Sequence, residues 1–300
     1  MKRPAGRGYY RRMDASRSGG FAGHRRDRTA GRLVYPVLSR RSGGLSLGVN
    51  LFPDAKRCSF DCPYCEVFPH PGLGAGGPFD EVELEAELGA FLDRGYAEAW
   101  APEPIRDLCL SGDGEPSLSP RLGPALEVLA RARRLRPGLL GRTDLVLITN
   151  STGFLLPETA ALLGRAVDEE GLVVWAKLDS GDEEGFRRMS RSSHRLSDIV
   201  SGIASFASEH PLVIQTMLCE VEGAAPGEDA LRDYAGLLAR LAAGGARVSA
   251  VHLYTKARPS PEGGTAPIAD APLAAAARLV ASRVPFPVRA FGAAGEIALA

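Results

Sequence analysis

Apolar and polar positions alternate along this chain in two rhythms. Leu45, Leu47, Val49 and Leu51 alternate with Ser46, Gly48 and Asn50, a period of two that predicts a β-strand. A short apolar run, 33–38, precedes it and ends in Ser39-Arg40-Arg41 and a Gly43-Gly44 turn. Asp80 then stands as an N-cap with Glu83 three residues on, a capping-box arrangement. Leu84, Leu88, Phe91 and Leu92 follow at helical spacing, so an amphipathic helix is predicted to end near Gly95. Further apolar strands are predicted at 108–110, 145–148, 172–178, 212–218 and 248–254. Between them, Ser119 and Pro120 open a helix whose stripe is Leu122, Leu126, Leu129 and Ala130. Helices are also predicted over 157–163, around Ile199, Ile203 and Phe206, from Leu231 to the Gly244-Gly245 stop, and over 273–282.

Six strands, each followed by a helix, argue for an α/β fold built of βαβ units. Their continuous apolar character suits parallel strands buried on both faces. Right-handed crossovers curl such a set into a barrel or an open sheet, and periodicity does not choose between the two. The segment 285–291 is a candidate edge strand.

Composition adds little to this picture. Three hundred residues with 45% hydrophobic and 24% charged positions describe an ordinary soluble chain of one barrel-sized domain or two small ones. No apolar run is long enough to span a bilayer, and the N-terminus has no apolar signal core. The reading is a cytoplasmic protein with reduced thiols and no membrane partner. Charge does change the picture. The net charge is zero, yet residues 1–32 hold ten Lys/Arg against two acids, a surplus of +8. That segment, rich in Gly and Ser, reads as a disordered tail set before a domain at 33–300. It is alternatively an arm for RNA or an acidic partner.

The candidate chemistry is concentrated in Cys58-Ser59-Phe60-Asp61-Cys62-Pro63-Tyr64-Cys65, three thiols at spacing C-x3-C-x2-C. Directly after a strand, one loop brings all three to a single metal centre. Two readings follow. Three thiolates holding an iron–sulfur cube leave one iron open for chemistry. Three thiolates with His70, in the Gly/Pro-rich loop 69–78, make a closed Cys3His zinc site in a non-catalytic protein. Disulfides do not suit five cysteines in 300 residues without a secretory signal. A second loop, Ser111-Gly112-Asp113-Gly114-Glu115-Pro116, follows the 108–110 strand. Its two glycines permit close backbone approach to a ligand, and Glu115 offers a carboxylate.

With these two loops in this order, the sequence resembles the radical S-adenosylmethionine (radical SAM) superfamily. Its signature is C-x3-C-x-aromatic-C followed by a Gly-Gly-Glu-type motif after the second strand. The resemblance implies a partial (β/α)6 barrel of parallel strands with the site at their carboxyl ends. It implies a [4Fe–4S] cluster on Cys58, Cys62 and Cys65. The open iron would bind SAM, and one electron would cleave SAM to methionine and a 5′-deoxyadenosyl radical that abstracts hydrogen from substrate. Tyr64 would pack on adenine, and Gly112, Asp113, Gly114 and Glu115 would cradle the methionyl end. Asn150 would bond SAM or, alternatively, cap a helix. Lys177 or Asp179 would meet the ribose or carboxylate, or pair within the barrel mouth. The electron would come from a donor such as flavodoxin or ferredoxin.

The segments 39–51, 147–151 and 177–186 look like a bacterial group labelled as similar to wyosine-type tRNA-modifying enzymes. Those enzymes hold a second cluster on cysteines upstream of the triplet. No cysteine precedes Cys58 here, and no cysteine-rich C-terminal extension follows. One cluster is therefore expected. Two substrate classes stay open: RNA or a nucleotide, favoured by the label and the basic tail, and a small metabolite, peptide or partner enzyme. Among the remaining residues, Cys219 and Tyr254 are the weaker catalytic candidates. His252 alternates with Leu253 and Tyr254, which puts His252 and Tyr254 on one strand face. Cys109 reads as core. Arg187, Arg188, Arg191 and Arg195, with His194, read as a loop that is either a solvated face or a contact for phosphate groups. Arg40 and Arg41 are either surface charges or contacts to an anionic substrate.

Overall fold

The structure, a computed structural model, describes residues 33–67 and 79–299. The basic tail, the 69–78 loop and His70 lie outside the described residues.

The chain enters through an antiparallel hairpin, β1 (Val34–Ser39) and β2 (Gly44–Asn50), with Val34 opposite Val49. Its turn carries Arg40 and Arg41. Beside β2 run six more strands, all parallel: β3 (Ile105–Ser111), β4 (Asp144–Thr149), β5 (Leu172–Lys177), β6 (Leu212–Met217), β8 (Val248–Tyr254) and β10 (Val288–Gly292). A short strand, β11 (Gly295–Ile297), pairs antiparallel with β10 and forms the far edge. Between β6 and β8 the chain makes β7 (Cys219–Val221), which pairs with β9 (Thr265–Pro267) in a small sheet of its own. The result is a mixed α/β fold around a curled, mostly parallel sheet of nine strands, a half-barrel.

Helices cover the outer face: α1 (Glu81–Ala90), α2 (Leu122–Leu135), α3 (Pro157–Glu170), α4 (Glu183–Ser190), α5 (Leu196–Glu209), α6 (Glu228–Ala243) and α7 (Asp270–Ala281). Outward residues Leu45, Leu47, Leu108, Leu145, Val174 and Ile214 pack into one core with Leu84, Leu129, Ile203 and Leu238 of the helices. Each such side chain contributes about 1.5–3 kcal/mol on leaving water.

Several expectations change here. The six predicted strand–helix units are all present. The 285–291 segment forms β10, parallel to β8, and β11 lies outside it. The strands are not apolar on both faces. Their inward side chains include Ser46, Asp107, Lys177, Gln215 and His252, because this face lines cavities and not a second helix layer. The helix predicted to stop near Gly95 continues through a π-helical turn, Phe91–Gly95, to Ala99. Its cap holds, with Asp80 accepting from the Glu83 amide at 2.8 Å. Ser119 sits one turn before its helix and bonds the Arg121 amide at 3.2 Å. Arg187 and Arg188 lie on a helix, α4, and not in a loop: Asp182 caps it through the Gly185 amide, and Phe186 and Met189 are buried. The strand predicted at 212–218 stops at Met217, and Cys219 begins β7 in the small sheet.

Candidate functional site

The cysteine loop leaves the carboxyl end of β2 and is fastened to the ends of neighbouring strands. Arg57, immediately before Cys58, donates its amide to the Asp113 carbonyl at 3.0 Å and accepts from the Glu115 amide at 2.8 Å. The glycine loop therefore runs beside the cysteine loop like a short strand pair. Asn50 fixes the glycine loop in turn. Its side-chain oxygen accepts from the Asp113 amide at 2.9 Å, and its amide donates to the Asp113 carboxylate at 3.1 Å. Further along, the Asp61 amide bonds the Ser190 carbonyl at 2.8 Å, and the Ser59 and Thr152 hydroxyls meet at 2.9 Å.

Cys58, Cys62 and Cys65 line one cavity of about 340 Å3. Of the eight residues expected to contact SAM, Tyr64, Gly112, Gly114, Glu115, Asn150 and Lys177 line it as well. Asp113 and Asp179 do not. Asp113 is buried behind the wall against Asn50, and Asp179 bonds outward to the β6 end through the Met217 amide at 2.8 Å.

Glu115 joins three segments. One oxygen accepts from the Ser117 and Thr149 hydroxyls, both at 2.6 Å, and from the Ser117 amide at 3.1 Å. The other accepts from the Asn150 amide at 2.6 Å. Burial pushes this carboxyl above its usual range, and the four hydrogen bonds pull against that rise. Asn150 is held at both ends of its side chain. Its oxygen caps the next turn through the Thr152 amide at 3.0 Å, while its amide nitrogen reaches Ser59 at 2.8 Å and the Cys58 sulfur at 3.6 Å.

On the opposite wall the Tyr64 hydroxyl donates to Asp179. Lys177 bridges Asp179 at 3.1 Å and the Tyr254 hydroxyl at 2.9 Å, with its ammonium 5.0 Å from the centre of the Tyr64 ring. Burial lowers the Lys177 pKa, but Asp179, Tyr254 and Cys62 together outweigh it and hold the ammonium above its usual range. The barrel-mouth salt bridge is thus present. Burial raises the Tyr64 phenol, and the Asp179 charge raises it further.

The thiols have the chemistry of cluster ligands without yet standing as a formed centre. Among the described residues no three His, Cys, Asp or Glu side chains are grouped to hold a metal ion. Two donors, the Phe60 amide at 3.4 Å and the Asn150 side chain, nevertheless point at the Cys58 sulfur. Such bonds stabilise a metal-bound thiolate. Burial pushes the free Cys62 thiol up to about 12 and that of Cys58 to about 11. Loading a metal therefore releases protons that these thiols otherwise keep at neutral pH. Three soft donors on one loop, in one cavity, fit an iron–sulfur cube.

The weaker candidates separate. Tyr254 lines the main cavity. His252 faces a second, open cavity of about 660 Å3 at the other end of the half-barrel. Cys219 reaches neither; it is buried beside a pocket of about 80 Å3 behind Asp179. Cys109 is buried on the inward face and edges the main cavity. The arginines of this stretch are engaged at the surface: Arg187 of α4 with Glu183 at 3.4 Å, and Arg191, just past its end, with Glu262 at 2.6 Å. Sequence reasoning missed Ser59, Thr149 and Asn50, which hold the site together, and Arg258 and Glu66 in its wall. Asn50 was visible as a polar end to an alternating strand. The others carried no local signal.

No family model matches the chain. It is 31% identical over 229 residues to a UPF0026 protein of Helicobacter pylori, covering 75% of this chain and 66% of that protein. A UPF0026 protein of Synechocystis is 29% identical over 197 residues, 62% of this chain and 64% of its own. A GTP 3',8-cyclase of Synechococcus is 34% identical over 156 residues, 51% of this chain and 38% of the cyclase. The chain therefore spans just under two thirds of the length of the UPF0026 proteins it matches.

Proposed function

We propose that this chain is a radical SAM enzyme with a single [4Fe–4S] cluster on Cys58, Cys62 and Cys65. One observation carries the reading: the three thiols share a cavity with the Gly112–Glu115 loop, and the two loops are bonded to each other through Arg57. The similarity to UPF0026 proteins and, over a shorter stretch, to a GTP 3',8-cyclase supports a radical SAM-type role. The half-barrel is then the partial barrel of such enzymes, with its site at the strand ends.

When bound, the cluster and SAM supply reductive cleavage of a sulfonium to a 5′-deoxyadenosyl radical that takes hydrogen from substrate. The chain itself supplies position and shelter. Glu115 and Asn150 hold the β3 and β4 ends against the cysteine loop. Gly112 and Gly114, packed against Asn50 and the Arg57 carbonyl, line the wall where the methionyl end would lie. Tyr64, held by Asp179 and Lys177, closes the far side, where adenine would lie. A nucleotide or RNA is the favoured substrate class, in keeping with the cyclase likeness and the basic residues at 1–32. A flavodoxin or ferredoxin is the proposed electron donor.

Reconstituted without oxygen with iron and sulfide, then given dithionite and SAM, the wild type is expected to release 5′-deoxyadenosine and Cys62→Ala none. Zinc in place of iron in anaerobically purified protein, with no product, sinks the reading and leaves a structural metal loop. A salt-sensitive RNA gel shift that weakens on removing residues 1–32 supports RNA as the substrate. Its absence moves the substrate to a small molecule.

A further inference from the structure

Three guanidinium groups stand together in the wall of the main cavity: Arg40 and Arg41 from the hairpin turn, and Arg258 from the segment after β8. The charges acting on Arg40 include Arg41, Arg258 and a single carboxylate, Glu66. Arg258 pairs with Glu66 at 3.0 Å. Among the described residues no carboxylate pairs with Arg40 or Arg41. Arg40 and Arg41 thus stand without a carboxylate in direct contact, the buried Asp107 acting on Arg41 only from a distance.

The three are not equivalent. Arg40 is committed to the fold, donating to the Gly292 carbonyl and, at 2.9 Å, to the Thr255 carbonyl. Burial, and then Arg41 beside it, lower its pKa to about 10. Arg41 is held by faces more than by bonds. Its guanidinium lies 4.4 Å from the Tyr254 ring centre and 5.2 Å from that of Trp175, and one nitrogen donates to Gln215. Stacking of this kind orients the planar fork and leaves the rest of its N–H edge for a ligand. Arg258 has a buried Nε with no hydrogen-bond partner. A buried donor left without a partner is unfavourable unless something bonds it.

We propose that Arg41 and Arg258 bind an anionic group, phosphate or carboxylate, of the molecule this enzyme acts on. Both carry the planar fork that matches such oxygens two at a time. Glu66 holds Arg258 until the anion arrives. The inference rests on the radical SAM reading for its substrate, but its test needs neither SAM nor reductant, so the two fail separately.

The test is calorimetric titration of the full-length, anaerobically purified protein with inorganic pyrophosphate and, separately, with citrate. One saturable site is expected. Arg41→Gln and Arg258→Gln should each weaken it roughly tenfold or more, the scale of one charged hydrogen bond. Arg41→Lys keeps the charge and loses the fork, so it should recover only part of the affinity. Arg187→Gln on exposed α4 should leave binding unchanged. Circular dichroism checks each fold, and Arg258→Gln decides alone if Arg41→Gln is unfolded. Pyrophosphate binding alone identifies a phosphate site; equal binding of citrate identifies a carboxylate site. No saturable site for either anion overturns the proposal. So does a site that ignores both substitutions, or one that Arg187→Gln weakens equally, which would mark diffuse surface charge.

Discussion

A β-carbon on Gly114 would stand 2.0 Å from the carbonyl oxygen of Arg57. The backbone of the cysteine loop rests where any side chain at this position would be. The absence of a side chain therefore makes room for the neighbouring loop, and that loop presents the thiols. Gly114→Ala is expected to push the loops apart, at a cost of about 1–3 kcal/mol for the overpacking. Thermal denaturation should show a lower midpoint, and iron retained after reconstitution should fall. A Gly114→Ala protein that keeps wild-type iron would show that the loops are not mutually braced.

Lys177 and Asp179 form a buried ion pair, with side-chain exposures of 13% and 8%. Breaking such a pair from one side leaves an unpaired charge away from water and costs about 3–5 kcal/mol. Lys177→Met should therefore destabilise strongly in urea unfolding. Lys177→Met combined with Asp179→Asn should be closer to wild type than Lys177→Met alone. A double variant as unstable as the sum of the singles would refute the coupling.

His252 sits between Trp175 and Phe291 and bonds the Gln215 amide through Nδ1 at 2.8 Å. Burial, then Arg289 and Arg41, push its pKa down to about 3. The unfolded chain, with a histidine near the ordinary value of about 6.5, binds the proton more readily in the window between. Stability from a neutral His252 is fully present above about pH 6.5 and is lost as pH falls toward 3. Compared with His252→Asn, the wild type should lose stability more steeply across that window, by at most about 1.4 kcal/mol per pH unit. Parallel stability curves for the two proteins would show that His252 does not titrate in this way.

Asn150 ties the β4 end to both Ser59 and the Cys58 sulfur. Asn150→Ala should leave most of the fold intact and lower the retention of iron during gel filtration, since outer partners of metal ligands typically change affinity by about 10–100-fold. Chelating the iron from wild type should lower its thermal midpoint, because metal bound only by the folded chain stabilises it. Iron that stays equally well in Asn150→Ala would remove Asn150 from the metal site.

Much of this was legible in the sequence. The strand periods, the Asp80 cap and the Gly244-Gly245 stop are local signals, and each matches an observed element. Helix α4 was hidden because only Phe186, Met189 and the polar Ser190 of its eight residues turn inward, among arginines that read as loop. The polar inner face was hidden because periodicity reports burial and does not distinguish a helix layer from a cavity wall. At the site, the cysteine spacing and the glycine loop announced themselves, but Gly114 reads as room for a ligand until its neighbour Arg57 is placed. Arg258 and Glu66 meet across 192 positions of sequence, a separation no local pattern spans.

Arg40, near the start of the described chain, finds its carbonyl partners at Thr255 and Gly292, close to the end. During synthesis on a ribosome those partners emerge 215 and 252 residues after Arg40. The cavity wall that Arg40 helps to build stays unfinished until Gly292 has been made, although the cysteines are made long before. A ligand that needs this wall therefore meets it only once the two distant halves of the described fold have joined.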